Sequence, residues 1–437
     1  TLPVEILSLE LGPPDWPVIA LTDDGISVLR LDADLRPRFE PVIEDRSVLA
    51  RSGALIPNLG LVHDLDGDGD RDLLHAARDG LAVYPGGRTW PPAPASRLAL
   101  PTDERSTSRL GPQRRFPLPE VADIDGDGRA DLLFPSHEKG WRSVEVLRGL
   151  GGGRFAALPE PLEMPPPPAS EECPEGCPES GERLVFLGDL DGDGRAEYVT
   201  RRSLSADDAG MRQEFREAKS PPNRYRFFRS GSDLSPATEP YATLDALGYV
   251  IDVETDDERE FSIPGGFQDL DGDGRQDLVA LTLDFSMMQI VRIMTTRTIS
   301  VGLDFSLYCQ TAEGGFREVP DLDLSGRFKL NLDDVRLSQL SLFDGDFDGD
   351  GRADFVQLGR GKTVSIHRGR EGCAYPKKPD LVIQLAEEPR DLALVEIEDL
   401  DGDGLSDLRI VQPDGLDEPG VTPTVRLDLY LSRELAP

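Results

Sequence analysis

The amino-acid sequence predicts an all-β chain, organised as a β-propeller of about seven four-stranded antiparallel blades with minor helical insertions. Three observations predict it. An acidic nine-residue phrase recurs six times, its starts 53 to 80 residues apart, a period that suits one four-stranded unit with loops of variable length. Each copy runs straight into a short β-rich stretch. The 44 glycines and 37 prolines are scattered through the 437 residues, as many short strands joined by tight turns require.

Taken in order, residues 1–45 read as a degenerate first repeat. Val4–Glu10, Val18–Leu21 and Ile26–Leu31 have strand patterning, and Pro13-Pro-Asp-Trp-Pro17 stands where the acidic phrase is expected. Strands from the two termini sharing one blade would remove exposed sheet edges. The phrase itself occupies 64–72, 123–131, 189–197, 269–277, 346–354 and 399–407. The strands leaving it are Leu73-Leu-His-Ala, Leu132-Leu-Phe, Tyr198-Val-Thr, Leu278-Val-Ala-Leu, Phe355-Val-Gln-Leu and Leu408-Arg-Ile-Val. Further strands are expected at Gly80–Tyr84, Ser143–Leu147, Thr363–His367 and Val425–Tyr430. A polar insertion spans about 201–245, with a short helix expected near Asp207–Lys219; a second helix is expected at Phe285–Arg297, before a strand at Ile299–Leu307. The whole chain, 1–437, reads as one domain.

The spacing of the phrase is that of a hard-cation loop, because calcium takes six to eight oxygen ligands and carboxylates at alternate positions of a tight turn can surround it. Positions one, three, five and nine of the first copy are Asp64, Asp66, Asp68 and Asp72, with Asp70 at position seven. The second copy has Asp123, Asp125, Asp127 and Asp131 with Arg129, and the third has Asp189, Asp191, Asp193 and Glu197 with Arg195. The fourth has Asp269, Asp271, Asp273 and Asp277 with Arg275; the fifth has Asp346, Asp348, Asp350 and Asp354 with Arg352. The sixth has Asp399, Asp401, Asp403 and Asp407 with Leu405. Only a main-chain carbonyl can serve as ligand at so variable a position seven. An EF-hand would need a bidentate Glu at position twelve, where His75, Phe134, Thr200, Ala280, Gln357 and Ile410 stand instead. About six Ca²⁺ ions, in six of the blades, are therefore expected.

These loops resemble the calcium loop of FG-GAP and VCBS-type repeats, bacterial relatives of the integrin α propeller. The Gly151-Gly-Gly-Arg-Phe155 and Gly314-Gly-Phe316 turns are similar to hairpins of such repeats. The resemblance implies metal loops gathered on one face and partners bound elsewhere by less regular loops. The Gly-Ala-Pro element of integrin-like repeats is absent after the loops, so integrin ligand binding is not carried over.

A formal charge of −35 disfavours nucleic acid and anionic membranes as partners. No run of about 18 apolar residues suggests a spanning helix. Cys173, Cys177, Cys309 and Cys373 allow three pairings in an oxidising compartment; Cys173 with Cys177 and Cys309 with Cys373 are favoured, and free thiols are the alternative. Export is expected from the calcium loops and the cysteines, and a start at Thr1 is consistent with a removed signal peptide or with a trimmed chain. For catalysis there is little: His63, His75, His137 and His367 form no metal pair, and Gly359-Arg-Gly-Lys-Thr363 lacks the first glycine of a phosphate loop, Val356 standing there. No catalytic residue is assigned. The favoured reading is a non-enzymatic, calcium-stabilised binding or scaffold module, extracellular, on the cell surface or in the periplasm, for a protein or glycan partner. The alternatives are a calcium-dependent polysaccharide lyase or hydrolase, and a structural subunit of an envelope assembly.

Overall fold

The computed structural model describes residues 6–16, 18–31, 37–48, 60–99, 103–108, 111–115, 118–135, 143–164, 182–204, 222–231, 233–247, 252–254, 260–262, 266–284, 297–331, 336–359, 361–390, 392–414 and 424–433. Among these the chain is almost wholly β, with one 3₁₀ turn at Leu392–Leu394. It divides into two compact units, residues 1–163 with 413–426 and residues 164–412 with 427–437. No helix among the described residues is long and apolar enough to cross a membrane.

Each unit is a succession of antiparallel meanders whose strands pair in chain order. In the first unit the first sheet joins Ile6–Leu11, Val18–Thr22, Gly25–Leu31 and Pro37–Ile43. The second joins Val62–His63, Asp72–Ala77, Gly80–Tyr84 and Ser96–Leu98, and the third joins Glu120–Ala122, Asp131–Pro135, Ser143–Leu147 and Glu160–Glu163. In the second unit the fourth sheet joins Glu182–Asp189, Ala196–Ser203, Pro222–Arg229 and Ala242–Leu247. Two further four-stranded meanders, 266–331 and 336–384, share one eight-stranded sheet. They are sewn together where Lys329–Asn331 pairs with Arg336–Gln339 across a bulge. The last sheet has three strands, Val395–Glu398, Asp407–Asp414 and Thr424–Tyr430.

The packing follows from the two-residue period of a strand, which sends successive side chains to opposite faces. In the second sheet Leu73, Ala77, Ala82 and Tyr84 pack with Leu7, Ile19, Leu21 and Val28 of the first sheet. Their neighbours Leu74, Ala76, Leu81 and Val83 pack with Leu132, Phe134 and Leu147 of the third. The second unit repeats this: Leu278 and Ala280 join Val199, Tyr225 and Phe227, while Val279 and Leu281 face Phe305, Phe343 and Phe355. The second sheet is covered on both faces, so Asp72–Ala77 and Gly80–Tyr84 are buried at every residue, and the polar Asp72 and His75 among them are hydrogen-bonded.

Several expectations change. The strands expected in residues 1–45 form, but with Pro37–Ile43 they complete a sheet of their own, so among the described residues the two termini do not share one. The connection holding Pro13–Trp16 does occupy the place of the acidic phrase, between the first two strands. The segment 201–245, read as an insertion, supplies the third and fourth strands of the fourth sheet. Its charged residues misled because they alternate with core residues: Arg224 pairs with Asp245 at the surface while Tyr225 and Phe227 are buried. The strand expected at Ile299–Leu307 is found at Thr298–Tyr308. Gly361 turns between Phe355–Leu358 and Thr363–His367, so the lysine after it belongs to a hairpin. The helices expected near Asp207–Lys219 and Phe285–Arg297, and the pairing of Cys173 with Cys177, lie outside the described residues. Cys309 and Cys373 form a disulfide.

Candidate metal centres

Every acidic loop joins the first strand of its meander to the second, so six similar turns are built by the same local rules. The position-one carboxylate organises each turn. Asp64 accepts the Gly67 N–H with one oxygen (2.8 Å) and the Gly69 N–H with the other (3.0 Å). Asp123, Asp189, Asp269, Asp346 and Asp399 repeat both bonds with the glycines at positions four and six. The position-five carboxylate caps the N–H at position seven in all six copies, as Asp68 does for Asp70 (2.8 Å).

Position nine ties the loop to the sheet. Asp131 is buried, its Oδ2 accepting the Ile124 N–H (3.3 Å) and its Oδ1 the Gly149 N–H (2.8 Å) from the end of the third strand. Asp72, Asp277, Asp354 and Asp407 make the same pair of bonds, to Leu65 and Gly86, Leu270 and Gln310, Phe347 and Gly369, and Leu400 and Ser432. Glu197 keeps the first, from Leu190. Burial outweighs these bonds and pushes the carboxyls up, Asp72 and Asp354 to about 6 and Glu197 and Asp277 to about 7. The position-three and position-five carboxylates add to the rise at Asp72, Glu197 and Asp277, and Asp348 and Asp346 do so at Asp354.

Successive loops also touch. The position-eight N–H of one loop reaches the position-two carbonyl of the loop before it: Ala130 to Leu65 (3.0 Å), Gln276 to Leu190 (2.8 Å) and Ala353 to Leu270 (3.2 Å). Ser406 reaches Asp346 instead (2.7 Å), and its hydroxyl accepts the Asp346 N–H (2.8 Å). The apolar residue at position two, among them Leu65, Ile124, Leu190 and Leu270, plugs into the core and anchors the turn.

Position three decides what the loops can hold. Asp66, Asp191, Asp271 and Asp348 each keep one carboxylate oxygen, Oδ1, buried and without a hydrogen-bond partner. An unpaired buried carboxylate oxygen is costly, and a cation beside it removes the cost. Three carboxylate oxygens of one loop come within 4.8 Å of each other, as in Asp64–Asp66–Asp72, Asp123–Asp125–Asp127, Asp189–Asp191–Glu197 and Asp269–Asp271–Asp273. An all-oxygen set of this kind suits a hard divalent cation.

The structure thus brings together the carboxylates that the spacing singled out. At position seven the side chains turn away from that role: Arg129, Arg275 and Arg352 pair with the position-five carboxylates Asp127, Asp273 and Asp350. Sequence reasoning missed the outer ring. Gly152 and Gly372, in hairpins of the following sheet, donate backbone N–H groups to Asp66 (2.8 Å) and Asp271 (3.0 Å). Arg148, Arg229 and Arg368 stand over Asp125 (3.1 Å), Asp191 (3.0 Å) and Asp348 (3.2 Å). The available signal was their common place, at the end of the third strand, in Arg148-Gly149, Arg229-Ser230 and Arg368-Gly369. Away from the loops, a cavity of about 240 Å³ is lined by Ser338, Gly359, Glu388, Pro389, Arg390 and Leu392. It brings one carboxylate and one guanidinium to its wall.

No curated protein sequence matches this chain. Among solved structures it is similar to one titled for specific recognition of non-reducing terminal N-acetylglucosamine by an Agrocybe aegerita lectin. That likeness is 17% in identity, covers 94% of this chain and 89% of the other, and has a TM-score of 0.46. It is also similar to part of a Photorhabdus luminescens Tc holotoxin pore, at 16% identity and a TM-score of 0.40, over 96% of this chain and 16% of the other. Residues 64–134 and 123–200 match the family model of the FG-GAP-like repeat, each match opening on the first aspartate of an acidic loop. Residues 64–200 thus carry FG-GAP-like repeats.

Proposed function

We propose that the protein is a calcium-stabilised β-propeller that acts as a binding or scaffold module for a protein or glycan partner outside the cytosol. The observation that carries the metal reading is the buried, unpartnered Oδ1 of Asp66, Asp191, Asp271 and Asp348, recurring at one position of a repeated carboxylate loop. Calcium would be held by positions one, three, five and nine and by the position-seven carbonyl, supplying the positive charge that these crowded carboxylates lack. Its role is structural: loops that touch their neighbours become stiff together, and the sheets behind them present the remaining loops to a partner.

The propeller reading is supported by the repeated four-stranded meander with its loop always between the first two strands, and by the face-to-face packing of consecutive sheets. Extracellular calcium modules bind at about 10⁻⁴ to 10⁻³ M, and such concentrations exist outside the cytosol. The Cys309–Cys373 disulfide suits the same oxidising setting. The test is equilibrium dialysis of metal-stripped protein against millimolar Ca²⁺, with bound metal counted by elemental analysis. About six equivalents per chain are expected, together with slower proteolysis than in chelator. An absence of bound calcium would overturn the reading.

A further inference from the structure

The six loops differ in one respect that their sequences conceal. The residue just before the N–H donor to position nine, at the end of the third strand, is Pro85, Arg148, Cys309, Arg368 and Leu431 beside loops one, two, four, five and six; Arg229 holds that place beside loop three. Where it is arginine, the guanidinium lies on the metal-facing carboxylates. Arg148 contacts Asp125 (3.1 Å) and Asp131 (3.7 Å). Arg229 reaches Asp191 (3.0 Å), Asp193 (3.5 Å) and Glu197 (3.9 Å), and is held in place over the Tyr241 ring. Arg368 pairs with Asp348 (3.2 Å).

Where it is not arginine, no guanidinium from that place stands on position three. Asp66 and Asp271 receive the neutral N–H groups of Gly152 and Gly372, which orient the carboxylate without neutralising it. Among the described residues Asp401 has no ion pair at all. The arginines at position seven pair with position five in loops two, four and five, so they fall in both groups; the division rests on position three, where, among the described residues, loop four has only the Gly372 N–H.

We propose that calcium fills the loops in two classes, with loops one, four and six binding tightly and loops two, three and five weakly. In the second class an arginine must share the position-three carboxylate with the incoming ion. This rests on the calcium reading above and deepens it. An internal guanidinium repels Ca²⁺ and competes for the same oxygens, and both effects lower affinity. The same guanidinium offsets part of the negative charge of loops two, three and five when calcium is scarce. At loop three the Asp191 side chain is only 10% exposed and still keeps an unpartnered Oδ1, so a cation has a place there even with Arg229 present.

The experiment is a titration of metal-stripped, full-length protein with Ca²⁺ against a chromophoric chelator, with bound metal counted at each free concentration. Wild-type protein is expected to take up half its calcium at a free concentration about tenfold below the rest, since a shift of that size needs only about 1.4 kcal/mol per site. The variant Arg148→Met/Arg229→Met/Arg368→Met keeps the aliphatic stems and should merge the two steps at the lower concentration. Leu431→Arg, at an exposed position, should move one equivalent from the tight step to the weak one, and it guards against a misfolded triple variant. Six equivalent sites that ignore all four substitutions would overturn the proposal while leaving the calcium reading intact. No uptake by wild-type protein would overturn that reading itself.

Discussion

At the scale of single residues, the position-nine carboxylates hold the backbone in a way that can be separated from the metal role proposed for them. Asp354 is fully buried and accepts the Phe347 N–H (3.0 Å) and the Gly369 N–H (2.8 Å), so its removal strands two backbone donors whatever the metal does. Asp354→Ala should therefore cost about 2 to 5 kcal/mol even in excess chelator, and Asp354→Asn distinctly less, because an amide oxygen keeps one bond. Urea unfolding in chelator measures both; equal and small losses would mean the side chain serves only as a ligand. A histidine outside the nine-residue loops is expected to carry pH sensitivity. His75 is buried, and burial holds its imidazole below the ordinary value despite its bond to the Asp45 carbonyl (2.8 Å). The groups facing it are Asp45, whose charge raises it, and Arg97, whose charge lowers it. A lowered folded value means the unfolded chain binds the proton more readily, so this stability is present above about pH 6.5 and is lost as pH falls below it. His75→Gln should shrink the difference between unfolding midpoints at pH 7.5 and pH 5; an unchanged difference would show that His75 does not carry it.

At the scale of elements, the turn glycines looked alike in the sequence and prove unlike in the structure. Gly67 (φ +75°) and Gly69 (φ +85°) both need the left-handed region, but a Cβ on Gly67 would overlap the Gly128 carbonyl of the next loop, whereas nothing lies within 4 Å of one on Gly69. Gly69→Ala should cost only its backbone strain, about 1 to 2 kcal/mol, and Gly67→Ala clearly more because two loops must part. Thermal melting of the two variants decides this, and equal losses would deny the loop-to-loop contact. The loops were legible because the turn is built from bonds between near neighbours, Asp64 to Gly67 and Gly69 and Asp68 to Asp70, so Asp64 through Asp72 announce it without help from the rest of the chain. The third and fourth strands of the fourth sheet were not, since Arg224 and Arg226 break the apolar pattern. Arg226 is buried against Glu182 (2.7 Å), a partner 44 positions away that no local pattern can reveal. The outer ring was hidden for the same reason: Gly152 and Arg229 meet their carboxylates only through folding. A hairpin-to-hairpin link, the Cys309–Cys373 disulfide, flanks both backbone donors of loop four, Gln310 to Asp277 and Gly372 to Asp271. Cys309→Ser/Cys373→Ser opens a span of 64 residues and should lower stability by up to about 4 kcal/mol, read from denaturant midpoints with and without reductant. A loss no larger than that of a single exposed serine would set the clamp aside.

At the scale of the whole molecule, the net charge of −35 makes calcium and ionic strength rival explanations for any stabilisation by added salt, and they differ in a measurable way. General screening acts through the Debye length, about 10 Å at 0.1 M, and any monovalent salt supplies it. Specific binding acts by mass action: each site whose ion binds only the folded chain adds about 1.4 kcal/mol for every tenfold rise in free Ca²⁺ above its dissociation constant. The melting temperature should therefore climb with the logarithm of calcium through the range of about 10⁻⁴ to 10⁻³ M and beyond, at constant ionic strength. Magnesium at equal concentration should do much less, because it demands a near-octahedral shell at short distances and gives up its water reluctantly, whereas these loops offer crowded carboxylates and a carbonyl. Sodium chloride adjusted to the same ionic strength should give only the small, flat contribution of screening. If sodium chloride or magnesium matched calcium, the carboxylate loops would be acidic turns relieved by any counterion, and the buried oxygens of Asp66, Asp191, Asp271 and Asp348 would need another partner. A calcium-specific slope steeper than one site can give would mean that several loops share a single cooperative unfolding event, as the bonds from Ala130 to Leu65 and from Ala353 to Leu270 lead one to expect.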